Sequence, residues 1–519
     1  FAAAAGRHGL KPLLYLCEPR FVPERFFQKH PTLRGPRVDN PTCSKTPLFA
    51  LCTDLPEVQA HYREMMAKVM ELVPDLAMVS LFTSDSGAGF DYNPDTYAGP
   101  NGAGFNRGVP LAKRVVRFLN ILLEEGRRKD PKFTVNLTSG FSPEARAKIL
   151  ADAPAGIVGS VYGLYDWEGG LEEHWSYHQA VWGIPKAKWN VRNLNRAAAA
   201  ADRFADMQER FDVAAKGGRE PIVHAEIPTY DYSRPLRYTP HPFETIRLMQ
   251  DIVRLGAKRI AAWGVISPKS LVPYDVNSEA MRLINEQIDT DPAGLVRGIA
   301  ERWVGTKHAP ALIEAWTKCD HATTHRPMWA HAGLPKNALP GPLVPDLTAL
   351  QREEIAYYRT IGLDDLELIQ GLGAWLPQEV DERNRDYVLH KTYEKETLPL
   401  LREAVTLLEK EAGRAAGEAR DVLQRQRDHI YVAYLYQRSH YNWYEAGRYL
   451  SPGANPGRDR TMPQIVEDEI QNTRDWIAPL DGRIEQFFRA YPSDFMTYEF
   501  GLGFVDQLQA RLRVMQAHR

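Results

Sequence analysis

Six short apolar runs, separated by stretches with apolar residues at helical spacing, constrain this chain more than any other feature. The runs are PLLYLCE (12–18), LAMVSLFTSD (76–85), FTVNLTS (133–139), GIVGSVYGLYD (156–166), PIVHAEI (221–227) and RIAAWGVI (259–266). Between them lie amphipathic segments such as EVQAHYREMMAKVMELV (57–73), LAKRVVRFLNILLEEGRR (111–128) and FETIRLMQDIVRLG (243–256). Apolar strands that alternate with helices predict a parallel sheet covered on both faces. The opening FAAAAGR reads as the tail of a helix stopped near Gly9, and the first apolar run follows at once. The expected class is α/β, a (β/α)8 TIM barrel whose first two strands lie upstream of Phe1. A doubly wound open sheet is the rival, but it would place a glycine-rich phosphate turn after its first strand, and none stands there. NGAGFNRG (101–108) follows a loop and lacks a Lys-Ser/Thr pair, so it reads as a rim or surface loop.

Prolines at 335, 340, 342 and 345 mark 331–345 as a linker or surface strap. Residues 1–330 are therefore expected to form the barrel, and 346–519 a helical C-terminal domain. The run 397–450 is amphipathic, too polar for a membrane and interrupted by glycines. Its aromatic stripe (Tyr431, Tyr434, Tyr436, Tyr441, Trp443, Tyr444) is expected to serve as core or as a dimer interface.

Bulk composition excludes several classes. Lys and Arg total 64 against 66 acids, a net charge of -2, which argues against nucleic acid held by bulk positive charge. No run of about eighteen apolar residues occurs, so no membrane span is expected. Four cysteines (Cys17, Cys43, Cys52, Cys319) are too scattered for a disulfide framework or a paired metal site, and they leave the redox compartment open. No signal peptide is visible in the first residues, the true N-terminus is read as upstream, and localisation is unreadable.

In parallel barrels the catalytic groups stand where strands end and loops begin. Four of the six runs end in carboxylates. The first brings Glu18 and Arg20; the second, Asp85 and Asp91; the fourth, Tyr162, Tyr165, Asp166, Trp167 and Glu168; the fifth, His224, Glu226, Tyr230 and Asp231, with Arg234 beyond. VNLTSG offers only Asn136, Thr138 and Ser139, and AWGVIS offers Trp263. Glu18 could simply pair with Arg20, Asp91 could cap a turn, and Asp95 and Glu168 read as helix caps. Glu226 resists such a reading, because an unpaired charge inside a buried strand costs several kcal/mol. Carboxylates interleaved with Tyr and Trp suit glycoside hydrolysis, where one carboxyl protonates the leaving oxygen and another acts as base or nucleophile. A metal is the other use for such acids, with His224, His174 and His178 as candidate ligands and no third ligand evident beside the His-x3-His pair. No cofactor is expected.

The order of these features resembles the α-glucuronidases that trim glucuronic acid from xylan, with gaps, from about residue 8 to residue 330. The resemblance rests on GLKPLLYL, on LCTDLPEVQAHYREMMAKVMELVPDLAMVSLFTSDSG, on YGLYDWEGG, on HAEIPTYDY, and on AWGVISP with GLVRGIAERWVG. It implies a catalytic barrel followed by a helical domain. Carried over, Asp166 matches one base carboxylate, Asp231 beside Tyr232 matches the other, and Glu226 matches the earlier Glu of that segment. The departure is at the general acid, where Ser86 stands in place of the family Glu, with Asp85 beside it. Other carbohydrate-active barrels, β-hexosaminidase-like and endo-glucosaminidase-like, share this layout.

These readings converge on a glycosidase with Asp166, Glu226, Asp231 and Asp85 as catalytic carboxylates. Glu18, Arg20, Asp91, Tyr162, Tyr165, Trp167, His224, Tyr230, Arg234 and Trp263 are the expected substrate-binding residues. A uronate substrate would call for a forked Arg, with Arg20, Arg107 and Arg234 as candidates. The alternatives are a barrel that binds carbohydrate without turning it over, and a metal-assisted hydrolase or lyase. The expected partners are a carbohydrate substrate and a second copy of the chain through the helical domain, with neither nucleic acid nor membrane.

Overall fold

The computed structural model describes residues 2–38, 48–83, 88–90, 109–139, 141, 143–162, 196–226, 239–263, 273–324, 342–351, 353–354, 393–450, 460–477 and 504–519. A short helix α1 (Ala2–Gly6) leads through Gly9, at φ 70°, into strand β1 (Leu13–Cys17). A small antiparallel sheet follows, with β2 (Phe21–Val22), β3 (Arg34–Arg37) and β4 (Phe49–Leu51) in the order β2-β4-β3. Its strands are too short to show an alternation in sequence, and none was expected there. Helix α2 (Glu24–Lys29) lies between β2 and β3.

The main sheet then builds strand by strand through β5 (Met78–Phe82), β6 (Thr134–Ser139), β7 (Ile157–Tyr162), β8 (Ile222–Glu226) and β9 (Arg259–Trp263). Every pairing is parallel, and the spatial order β1-β5-β6-β7-β8-β9 repeats the chain order without reversal. Between them run α3 (Pro56–Leu72), α4 (Leu111–Arg127), α5 (Pro143–Asp152), α6 (Arg196–Ala215) and α7 (Pro242–Arg254). Parallel neighbours joined by crossovers of one hand place their helices on one face. The packing agrees. Val79, Leu81, Val135, Leu137 and Ile157 share a core with α3 and α4, and Val161 and Val223 share one with α5, α6 and α7. A doubly wound sheet reverses its strand order and carries helices on both faces, so that rival fails for the described strands. What stands is a curled six-stranded parallel sheet, and a closed eight-stranded ring is not seen among the described residues.

Helix α3 starts with Pro56 at its first turn and buries Val58, Tyr62, Met66 and Met70, a stripe repeating every fourth residue. Helix α4 buries most of one face, Arg114 included, and ends where Gly126 meets Phe133. A Cβ at Gly126 would lie 2.1 Å from the Phe133 ring, so only glycine lets the helix pass.

Helices α8 (Val276–Glu286) and α9 (Pro292–Thr324) carry the chain away from the sheet, and α9 bends at Gly305, at φ 76°. The helical region follows as α10 (Leu398–Ala412), α11 (Gly417–Leu450), α12 (Met462–Ile477) and α13 (Phe504–Ala517). The break expected from glycines lies between α10 and α11, at Gly413 and Gly417. One apolar core runs from Ile246 and Met249 of α7, through α8 and α9, to α10–α13. Trp316 and Gln426 are fully buried within it, and Trp316 Nε1 donates to Gln426 Oε1 at 2.9 Å. Leu343 and Val344, at the end of the expected linker, are also fully buried. Of the aromatic stripe, Tyr436 and Tyr441 belong to the chain's own interior, while Tyr431 and Tyr434 stack half-buried at 6.2 Å. The side chains of Trp443 and Tyr444 lie outside the described residues. No helix among the described residues is long and apolar enough to cross a membrane.

Candidate active site

With the helices packed against one face, the sheet turns its other face inward, and on four successive strands that face is polar. Ser80, Asn136, Ser160 and His224 come from β5, β6, β7 and β8 in turn, each no more than 3% exposed. The row advances with the strand tilt. Ser80 pairs directly with Asn136, whereas Ser160 lies two residues beyond Asn136's partner Val158, and His224 two beyond Ser160's partner Ile222. Such stagger is expected of strands that tilt around a curved sheet.

Buried polar groups must satisfy one another. Asn136 Nδ2 donates to Ser80 Oγ at 3.0 Å and to Ser160 Oγ at 2.9 Å. Ser80 Oγ meets Thr138 Oγ1 at 2.7 Å, and Ser160 Oγ meets His224 Nε2 at the same distance. Thr138 sits where β6 bulges: Leu137 pairs with Leu81 and Ser139 with Phe82, leaving Thr138 without a strand partner. Arg146 of α5 closes the gap, donating to the Thr138 carbonyl at 2.9 Å and to the Ser160 carbonyl at 2.5 Å. Burial, reinforced by the Arg146 charge, lowers the His224 pKa to about 3, so the ring is neutral at any physiological pH.

Some expected site residues are brought together by the strands. Tyr162 pairs with His224 across β7 and β8, and Glu226 pairs with Trp263 across β8 and β9. Tyr162, Glu226 and Trp263 end adjacent parallel strands, and His224 stands two residues short of the end of β8; this is the edge where parallel α/β sheets place chemistry. For Tyr162, Glu226 and Trp263 only the backbone belongs to the described residues.

Glu18 and Arg20 follow β1. The Glu18 carboxylate accepts from Tyr62 Oη at 2.8 Å and from the Arg20 backbone N–H at 2.7 Å. It therefore reaches α3, in the helix layer, and its tie to Arg20 is through the backbone. The Arg20 guanidinium is exposed over the Phe21 ring. Burial, with the Glu18 charge, holds the Tyr62 hydroxyl well above its ordinary range. Asp85, Ser86, Asp91, Arg107, Tyr165, Asp166, Trp167, Tyr230, Asp231 and Arg234 lie outside the described residues, as do His174 and His178 and the loop 101–108. No group of three or more possible metal ligands occurs among the described residues.

Ser80, Ser160 and Arg146 were not anticipated from sequence. The signal was present: each of four apolar runs carries one small or polar residue near its middle, as in VSL, VNL, GSV and VHA.

No protein-family model matches the chain, and no curated protein matches it. Among solved structures, a GH138 enzyme targeting pectin rhamnogalacturonan II aligns at 11% identity and a TM-score of 0.45. That alignment covers 92% of this chain and 51% of the other, so the chain spans about half the length of that enzyme. A mutant O-GlcNAc hydrolase of Thermobaculum terrenum aligns at 11% identity and a TM-score of 0.35, covering 90% of this chain and 76% of the other. Neither is described as an α-glucuronidase.

Proposed function

We propose that the chain is a glycoside hydrolase of the (β/α)8-barrel type, working by carboxylate acid/base chemistry at the C-terminal rim of its sheet. The observation that carries this reading is the placement of Glu226. It ends β8, pairs with Trp263 on β9, and follows by two residues a buried, neutral histidine. An acid at the mouth of a curved parallel sheet, in register with an aromatic residue, suits a sugar ring stacked beside a reacting carboxylate.

Asp166, Asp231 and Asp85, from the neighbouring strand ends, are the proposed partners of Glu226 around that rim. One carboxyl protonates the leaving glycosidic oxygen; another attacks the anomeric carbon or activates water, and their separation sets retention or inversion. Tyr162, Tyr165, Trp167, Tyr230 and Trp263 supply aromatic walls, and Arg20, Arg107 or Arg234 forks the carboxylate of a uronate in the α-glucuronidase-like version. Barrel closure is supported by the two edge strands. Leu13 and Tyr15 of β1 are 49% and 37% exposed and Ile260 of β9 is 38% exposed, apolar surface that further parallel strands would cover. We further propose a homodimer through the helical region. A single monomeric species by light scattering at micromolar concentration would remove that part.

The test is turnover of aryl glycosides and glucuronoxylan oligosaccharides by the wild type and by Asp166→Asn, Glu226→Gln and Asp231→Asn. Lost turnover with oligosaccharide binding retained supports the reading. Undiminished turnover in all three variants sinks the assignment, and activity abolished by a chelator and restored by a divalent ion replaces it with metal-assisted chemistry.

A further inference from the structure

The aromatic stripe of α11 divides in two. Tyr436 and Tyr441 are buried, whereas Tyr431 and Tyr434, one turn apart, are half-buried and meet water. Their rings lie within 13° of parallel, with centroids 6.2 Å apart. Neither hydroxyl has a hydrogen-bond partner among the described residues. Glu409 of α10 and Asp475 of α12 both act on the Tyr431 hydroxyl, so those two helices flank the rings. Burial first, then the Asp475 charge, holds that hydroxyl above its ordinary range, and it stays a donor. One turn beyond Tyr434 stands Arg438. It donates from Nε to Asp468 at 3.2 Å, from Nη1 to Asp475 at 3.0 Å and from Nη2 to Asp468. A guanidinium carries five N–H groups, so two of them make no bond to the described residues.

We propose that Tyr431 and Tyr434 form a carbohydrate-binding platform for a neutral stretch of glycan, with Arg438 and Asp475 bonding its hydroxyls. Three classes of occupant suit parallel aromatic rings that meet water. A nucleic-acid strand stacks its bases on such rings, but it needs positive charge for its phosphates. Here Glu409, Asp468 and Asp475 pair with Arg427 and Arg438, which leaves an excess of acid. The same excess turns away a polyuronate. A second copy of the chain would seat a dry patch, and the dry centre of an interface is depleted in charge. Rings bordered by ionised side chains with bonding capacity to spare do not make such a centre, so a dimer through the helical region would use another face. A pyranose ring meets both demands. Its C–H face covers apolar ring surface, and its hydroxyls both donate and accept. They match a guanidinium with spare N–H groups, a carboxylate with spare lone pairs and two unpaired phenols. The choice of ligand rests on the glycoside hydrolase reading.

Retardation of the full chain in native gels that contain arabinoxylan, xyloglucan, galactomannan or mixed-linkage glucan reads binding without turnover. At least one of these neutral polysaccharides should slow the wild type. Its affinity should fall roughly tenfold in Tyr431→Leu and again in Tyr434→Leu, the scale of one stacked ring lost. Tyr431→Phe with Tyr434→Phe keeps both rings and should keep most of the binding. No retardation of the wild type in any gel overturns the platform, as does undiminished retardation in the double Leu variant. A Phe pair as weak as the Leu pair overturns the stacking, and a Leu pair that loses dimer mass by light scattering but stays retarded gives the rings to a second copy. NMR of the wild type labelled at tyrosine needs no destabilised variant. The ring signals of Tyr431 and Tyr434, assigned by the Phe variants, should shift on addition of oligosaccharides cut from the retarding polysaccharide; signals that stay put overturn the platform. A wild type that is retarded but turns over no glycoside fails the glycosidase reading and supports the platform. An active wild type that no gel retards fails the platform alone.

Discussion

Arg114 donates from Nε to Asp54 Oδ2 at 2.6 Å, and both side chains are almost wholly shut off from water. The same guanidinium donates to the Phe90 carbonyl at 2.9 Å, so α4, the turn before α3 and the segment after β5 meet on one side chain. Arg117 reaches the other Asp54 oxygen at 3.0 Å but is 49% exposed. Arg114→Met should cost about 3–5 kcal/mol, because a buried carboxylate loses its buried partner. Arg117→Met should cost less than about 1 kcal/mol, as an exposed pair does. Urea denaturation of the two variants checks the ordering, and equal costs would contradict it.

Asp320 of α9 lies 4% exposed beside Glu244 of α7, whose backbone N–H it accepts at 3.1 Å. Burial first, then the Glu244 charge, raises its pKa to about 7, with Arg247 and backbone N–H groups opposing. A carboxyl with a raised pKa in the folded state keeps its proton longer there than in the unfolded chain. Its contribution to stability is complete below the unfolded value near 3.8 and is lost as pH rises through about 7. Asp320→Asn should flatten that loss, by up to a few kcal/mol. Thermal unfolding at a series of pH values, wild type against variant, measures it; parallel curves would refute it.

Asn136 supplies donors to two buried hydroxyls at once. Asn136→Leu keeps the volume and strands Ser80 and Ser160 without those donors, at a cost of roughly 1–3 kcal/mol. Denaturant midpoints test this, and a variant as stable as the wild type would show that the row is not under hydrogen-bond demand.

Gly126→Ala drives a methyl into the Phe133 ring and should cost roughly 1–3 kcal/mol despite alanine's better helix propensity. Phe133→Leu in the same background should recover part of the loss. A gain in thermal stability for Gly126→Ala alone would mean that the ring yields freely.

The six strands and their helices were legible because burial on one face and helix on the next write two clear periods into the sequence. The antiparallel β2-β4-β3 sheet was not: two, three and four residues hold no period. The polar row was legible only as isolated oddities. Ser80, Asn136, Ser160 and His224 stand on four different strands, with 24 to 64 residues between hydrogen-bonded partners, and only register makes them one system. Glu226 was read as a residue of an apolar strand, and it is the last residue of β8. Glu18 has the partner a linear reading expects, Arg20, but through its backbone, and Tyr62, 44 residues on, could not be anticipated.

Tyr274, just before α8, holds φ 63°, a left-handed conformation that a tyrosine adopts only under constraint. The constraint comes from α9 and α11. Gln426 donates to its carbonyl at 2.7 Å across 152 positions of chain, its hydroxyl bonds Glu418, and Trp303 meets its ring edge-on at 5.3 Å. A polypeptide emerging from the ribosome therefore completes the six described strands of the sheet well before it holds the residues that fix this turn. The strands can assemble early, but the turn leading into α8 must wait for the C-terminal third to arrive and close over it.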